Sequence, residues 1–235
     1  AGSGKASQGK YKGPAYEANL VGVKVLDGNG SGSFSDVIKG IQWATDNKDK
    51  YNIRVINMSL GGRASGSYKD DPVAQAVEAA VNKGIVTVVA AGNSGPGAKT
   101  IGTPAHDPLA LTIGALDDRG TPDPSDDKIA SFSSRGPTKY DNLPKPDVVS
   151  PGVNITAPDA SNGGYTSMSG TSMATPIAAG VVASLIQADS KATPDEIKTA
   201  LAKTADKVGD YDANTQGAGV IDPYKALQEL TKSQS

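Results

Sequence analysis

Cysteine is absent from the 235-residue chain, and histidine occurs once, as His106. The first absence excludes disulfide bonds, thiolate catalysis and any cysteine-ligated metal centre. The second excludes a zinc site built from several imidazoles. Aromatic residues make up only 5% of the chain. No apolar run in the sequence approaches the roughly 20 residues that cross a bilayer. Charge of one sign is also missing. The 23 Lys and Arg are matched by 25 Asp and Glu, a formal net charge of -2. Such a balance gives no basic stripe of the kind that holds nucleic acid.

What is present is a core-forming composition, 37% hydrophobic and 20% charged, rich in small residues, with 28 Gly and 15 Pro. Apolar β-branched runs predict strands at residues 19–26, 54–59, 85–91, 109–115 and 147–149. Between them, Val37, Ile38, Ile41 and Ala44 fall at helical spacing after Ser35. A second helix opens at Pro72, carries Val73, Ala76, Val77, Ala80 and Val81 on one face, and stops at Gly84. Residues 171–188 predict a helix apolar nearly all round, which places it deep in the core. Thr193-Pro194-Asp195-Glu196 is a capping box with Pro at the first helical position, and Pro223 opens a last helix to about Leu230. Alternating strands and helices, with strands apolar on both faces, predict an α/β fold. Its central sheet is mostly parallel, with helices on both faces. The continuous pattern predicts one domain over residues 1–235.

Ligands of such sheets bind at the carboxyl ends of the strands. Small-residue segments fall there: Gly30-Ser31-Gly32, Ser59-Leu60-Gly61 and Ala90-Ala91-Gly92-Asn93-Ser94-Gly95-Pro96. A fourth, Ser169-Gly170-Thr171-Ser172, opens the buried helix. There the free N–H groups and the positive end of the helix dipole favour a developing anion. Asn93 alone reads as a turn residue and Ser172 alone as a helix cap. Together they carry more. Gly170-Thr171-Ser172-Met173-Ala174-Thr175-Pro176 resembles the nucleophile motif of subtilisin-like serine proteases. Ala90-Ala91-Gly92-Asn93-Ser94-Gly95 resembles their oxyanion-hole motif. Asn57-Met58-Ser59-Leu60-Gly61, Ser131-Phe132-Ser133-Ser134-Arg135-Gly136 and Pro146-Asp147-Val148-Val149-Ser150-Pro151-Gly152 match further segments in the family's order.

The resemblance implies a subtilisin-like three-layer fold and endopeptidase activity on peptide or protein substrates, with no nucleic acid or membrane partner. It implies a bacterial alkaline protease, secreted or intracellular. In that reading Ser172 is the nucleophile, and Asn93 donates its amide to the oxyanion beside the Ser172 backbone N–H. Gly30, Ser31, Gly32, Ser59, Leu60 and Gly61 flank an extended substrate with backbone hydrogen bonds. Ala90, Ala91 and Gly92 line a pocket wide enough for a large apolar side chain. No cofactor is required for the chemistry. A structural calcium is implied as an option, with the turn from Ala105 to Ala110 and Asp117 as the candidate.

The resemblance also implies an aspartate and a histidine that precede the run at residues 19–26 in the family's order. Neither stands there in this sequence. Ala1-Gly2-Ser3-Gly4 resembles the stretch that follows the family's His motif. The chain therefore reads as the larger C-terminal portion of a subtilase, nearly inert until a segment carrying Asp and His is supplied. His106, in Thr103-Pro104-Ala105-His106-Asp107-Pro108, reads as an exposed surface-turn residue remote from Ser172. Two other readings stay open at this stage. One is a peptide-binding fragment or pseudoenzyme without catalysis. The other is an acid peptidase of the sedolisin type, which Asn93 opposes because that group uses an aspartate for the oxyanion.

Overall fold

The computed structural model describes residues 1–232. In chain order the helices are α1 (Phe34–Asp46), α2 (Lys48–Tyr51), α3 (Pro72–Asn82), α4 (Thr171–Ala188), α5 (Pro194–Thr204), α6 (Ala213–Gln216) and α7 (Pro223–Thr231). The strands are β1 (Val55–Met58), β2 (Val86–Ala90), β3 (Leu111–Asp117), β4 (Lys128–Ile129), β5 (Val148–Pro151), β6 (Ile155–Pro158) and β7 (Tyr165–Met168). Strands β1, β2, β3 and β5 pair in parallel, while β4 runs antiparallel to the end of β3. β6 and β7 form a separate antiparallel hairpin.

Side-chain alternation along β2 divides the core between two faces. Val86 and Val88 point into a cluster with Val182 and Leu185 of α4 and Ile197 of α5. Val89 points the other way, into a cluster with Val37 and Ile41 of α1 and Val73 and Val77 of α3. Helices thus cover both faces, and the α/β architecture expected from the sequence is the one observed. α4 spans 18 residues and is apolar enough by composition to cross a membrane. Here it packs instead on β1, β2, β3 and β5 and buries ten of its residues, Val182 and Leu185 among them. Each fully buried Val or Leu side chain of this kind contributes roughly 1.5–3 kcal/mol.

Helix starts follow the capping chemistry. Asp71 caps α3 by accepting from Val73 N–H, and Pro72 takes the first helical position. Thr193 and Glu196 form the reciprocal capping box of α5. Asp222 caps α7, with Pro223 next.

The run at residues 19–26 corrects the sequence expectation. It forms no strand and lies largely exposed, with Leu20 at 74%. Among the described residues its backbone makes no hydrogen bond. It faces the open edge of β1 across a cavity of about 620 Å³, lined by Val21, Val23 and Val25 on one side and Val55, Ile56 and Met58 on the other. The composition is that of a strand, but among the described residues no strand pairs with it.

Candidate active site

Ser172 is the second residue of α4, so its N–H belongs to the first turn and has no intrahelical acceptor. The loop after β1 clamps it from both sides. Ser172 Oγ donates to Ser59 O at 3.1 Å, and Ser59 Oγ donates to Ser172 O at 2.8 Å. Asn93, in the loop after β2, is fixed by the residue before the serine. Thr171 N–H and the Thr171 hydroxyl both donate to Asn93 Oδ1 at 2.9 Å. The Thr171 hydroxyl oxygen in turn accepts from Gly92 N–H at 3.2 Å. With Oδ1 occupied twice, the amide Nδ2 is turned the other way. A methyl carbon placed on Gly170 would lie 3.6 Å from Asn93 Nδ2 and 3.7 Å from Ser172 N. Asn93 and Ser172, 79 positions apart in sequence, are thus brought together beside Gly170.

Gly92 has a structural reason to be glycine. Its φ is +110°, and a Cβ there would stand 2.8 Å from Ser134 Oγ. That hydroxyl accepts from Ser94 N–H at 3.0 Å, and Ser134 N–H donates to Gly92 O at 2.9 Å. The Ser133-Ser134 segment thus holds the asparagine loop in place. Thr171 and Ser134 are positioning residues that the sequence reading did not single out. The signal was their adjacency to Ser172 and their place in a matched segment.

A cavity of about 750 Å³ opens in front of this pair. Leu60, Gly61, Ala90, Ala91 and Gly92 line it, as the sequence reading expects of a cleft. Ser59 joins through its bonds to Ser172. Gly30, Ser31 and Gly32 are not brought to it. They belong to a turn in which Asp27 Oδ1 accepts from Asn29 and Ser31 N–H, and which leads to Ser33, the cap of α1. On the far wall, Gly62 and Thr103 exchange backbone hydrogen bonds at 3.0 and 2.8 Å, fixing the cleft's width.

His106 corrects a second expectation. It is 2% exposed, not a surface residue, and its Nε2 lies 3.0 Å from Asp71 Oδ2. Asp71 also accepts from the Thr103 hydroxyl and caps α3, so one carboxylate ties the turn at residues 103–106 to the start of α3. Nothing about residues 103–108 signalled this, because Asp71 is 35 positions away. His106→Ala is expected to lower stability by about 1–3 kcal/mol by leaving a buried acceptor short of a partner. It should leave Ser172 reactivity per folded molecule unchanged. Urea unfolding and active-site labelling check the two halves.

The calcium candidate is not assembled. Ala110 O accepts from Lys145 Nζ at 2.8 Å and Lys198 Nζ at 3.0 Å, and Pro108 O accepts from Lys198 Nζ at 2.7 Å. The Ala105 carbonyl accepts from the Thr112 hydroxyl at 2.6 Å. Asp117 sits at the opposite end of β3 from this turn. Two ammonium groups hold the carbonyls that a cation would need, so these residues do not fit a calcium ion. Among the described residues no group of three or more His, Cys, Asp or Glu gathers as a metal centre.

Beside this turn, burial pushes the Asp107 carboxyl up to about 7. A bond from Leu109 N–H opposes the shift and nearby Glu78 adds to it. Among the described residues its Oδ2 has no hydrogen-bond partner. A folded pKa above the unfolded one makes the native state hold the proton between 3.8 and about 7. The resulting stabilisation is complete below 3.8 and is lost as pH rises through about 7. Asp107→Asn should flatten the fall in urea stability over that window, and an unchanged slope would contradict the assignment.

A mostly parallel α/β sheet with helices on both faces, and a cavity at its carboxyl end lined by Asn93 and Ser172, define the class: an α/β protein with a cleft where such sheets bind ligands. Residues 1–219 match the subtilase family of peptidases, and the chain belongs to that family. It is 46% identical over 97% of its length to the serine protease AprX of Bacillus subtilis, spanning 55% of that protein. It is 38% identical to subtilisin DY of Bacillus licheniformis over 92% of its length, spanning 70% of the relative. Among solved structures it resembles the S41 psychrophilic protease, with a TM-score of 0.75 and 32% identity, covering 88% of this chain and 69% of that one. It likewise resembles sphericase, with a TM-score of 0.72 and 30% identity, over 84% of this chain and 66% of that one.

Proposed function

We propose that the chain provides the nucleophile, the oxyanion donors and the substrate cleft of a serine endopeptidase. The observation that carries this reading is that Asn93 Nδ2 and Ser172 N both approach Gly170, in a cavity that the two residues line. Ser172 Oγ attacks the scissile carbonyl carbon. Its proton passes to a base, and negative charge builds on the carbonyl oxygen between the two donors. The C–N bond then breaks, the base returns the proton to the leaving amine, and water releases the acyl group.

The base comes from outside these residues, because His106 is buried and held by Asp71. We assign it to a segment carrying Asp and His. The unpaired run at residues 19–26 and the open edge of β1 support this, since both walls of the gap between them present free backbone groups to an added parallel strand. Parallel addition would direct that strand's carboxyl end towards Leu60, which lines both this gap and the Ser172 cleft. The same burial of His106 favours a second reading, a chain that binds peptide without cleaving it. A chromogenic peptide separates the two. The first reading expects hydrolysis to appear only after an Asp/His segment is added. Full hydrolysis by the chain alone, or none with the segment present, contradicts it.

A further inference from the structure

The chain has more acidic than basic residues, yet the wall of the Ser172 cleft reverses the balance. Arg63, Lys99 and Lys139 line it, and no Asp or Glu does. The three come from separate segments: the loop after β1, the loop after β2 and the loop before β5. All three are exposed, and none forms an ion pair among the described residues. Lys99 is also held in a backbone conformation that lysine disfavours, with φ at +60°. Glycine or asparagine fills that region at lower cost. Its N–H is tied to Gly136 O, and the neighbouring Thr100 hydroxyl donates to Gly97 O at 2.8 Å. The loop therefore fixes a cation at the rim at some conformational expense.

Below the rim the walls are apolar, made by Ala90, Ala91 and Ile101. We infer that the cleft selects peptides carrying Asp or Glu beside a large apolar side chain. This rests on the peptide-cleft reading above and names its substrate class. The apolar side chain enters between Ala90, Ala91 and Ile101, while flanking carboxylates meet the three cations. An uncompensated set of like charges around a low-dielectric cleft raises the local concentration of ligands of opposite sign and disfavours those of like sign. Exposed pairs of this kind are individually weak and are screened by salt, so the preference is graded and ionic-strength dependent.

Binding to the Ser172→Ala chain tests this without any catalytic step. The probes are fluorescein-labelled Ala-Glu-Ala-Phe-Glu-Ala and its isostere Ala-Gln-Ala-Phe-Gln-Ala, followed by fluorescence anisotropy. The acidic peptide should bind about five- to ten-fold more tightly at low salt, with the advantage shrinking to roughly two-fold or less at 0.5 M salt. Combined Arg63→Gln, Lys99→Met and Lys139→Met substitution should erase the difference while leaving the binding of the neutral peptide in place. These positions are exposed, so the variant retains the fold, which circular dichroism checks. Equal affinity of the two peptides, or a preference that survives in the triple variant, overturns the inference and leaves the peptide cleft standing. Failure of both peptides to bind overturns the cleft reading itself.

Discussion

Asn93→Ala is expected to slow acylation of Ser172 by about 10²–10³-fold, or roughly 2.7–4 kcal/mol in the barrier. That size is the one already established for this kind of donor in subtilisin, a member of the same family, and is carried over from it. What this structure adds is a physical basis for the proposed donor. Thr171 holds Asn93 Oδ1 with two bonds of 2.9 Å, so Nδ2 needs no reorganisation to meet a developing oxyanion. Thr171→Val removes one of those two bonds and the acceptor of Gly92 N–H. It should produce a smaller loss, on the order of ten-fold. The measurement, made with the Asp/His segment added, is the rate at which a fluorophosphonate labels Ser172, followed by intact mass. The Ser172→Ala chain serves as the blank and should not label. An Asn93→Ala chain that labels as fast as the unaltered one would remove Asn93 from the centre.

The second large effect lies in the ion cluster beneath β3. Lys145 is 2% exposed, and its ammonium donates to Asp147 Oδ2 and Ala110 O, each at 2.8 Å. Asp147 also accepts from Thr112 N–H at 2.7 Å and pairs with Lys198 at 3.3 Å. Removing one partner of a buried pair leaves the other charge uncompensated, which costs about 3–5 kcal/mol. Lys145→Met should fall near the low end of that range, because Lys198 still faces Asp147. Burial pushes the Lys145 ammonium down to about 8, against the pull of Asp147. Between about 8 and 10.5 the unfolded chain holds the proton that the native state has lost, so stability should rise with pH there. The methionine variant should lose that rise. Urea unfolding at several pH values tests both statements, and a loss below about 1 kcal/mol would show that the pair is a minor contributor.

Much of this architecture is legible in the residues themselves. α4 begins at Thr171 and ends at Ala188, the bounds expected from its all-round apolarity. Pro72, Pro194 and Pro223 each take a first helical position behind a capping Asp or Thr. Those signals are local, so they survive in the sequence. What is not legible depends on partners distant along the chain. Residues 19–26 have the composition of a strand, but pairing is a property of neighbours, and among the described residues no strand pairs with them. His106 reads as a polar loop residue because its partner Asp71 sits at the start of another element. The burial of Lys145 carries no signal in the sequence either, since lysines are almost never fully buried unless paired, and the pairing with Asp147 is visible only in the fold. Asn93 and Ser172 could be singled out because their two motifs are each contiguous, while the bonds from Thr171 that bring them together are seen only in three dimensions. Gly30, Ser31 and Gly32 mark the limit of that reasoning. A small-residue run after an apolar segment reads as a cleft edge, yet here it forms an Asp27-capped turn that lies outside the cleft lining.

The most direct test is a crystal structure of the chain bound to a peptidyl boronic acid, whose boron takes the place of the scissile carbonyl carbon. The expected adduct joins boron to Ser172 Oγ and sets one boron oxygen about 2.7–3.1 Å from both Asn93 Nδ2 and Ser172 N. A boronate attached at another residue, or one whose oxygens all turn away from Asn93, would contradict the account.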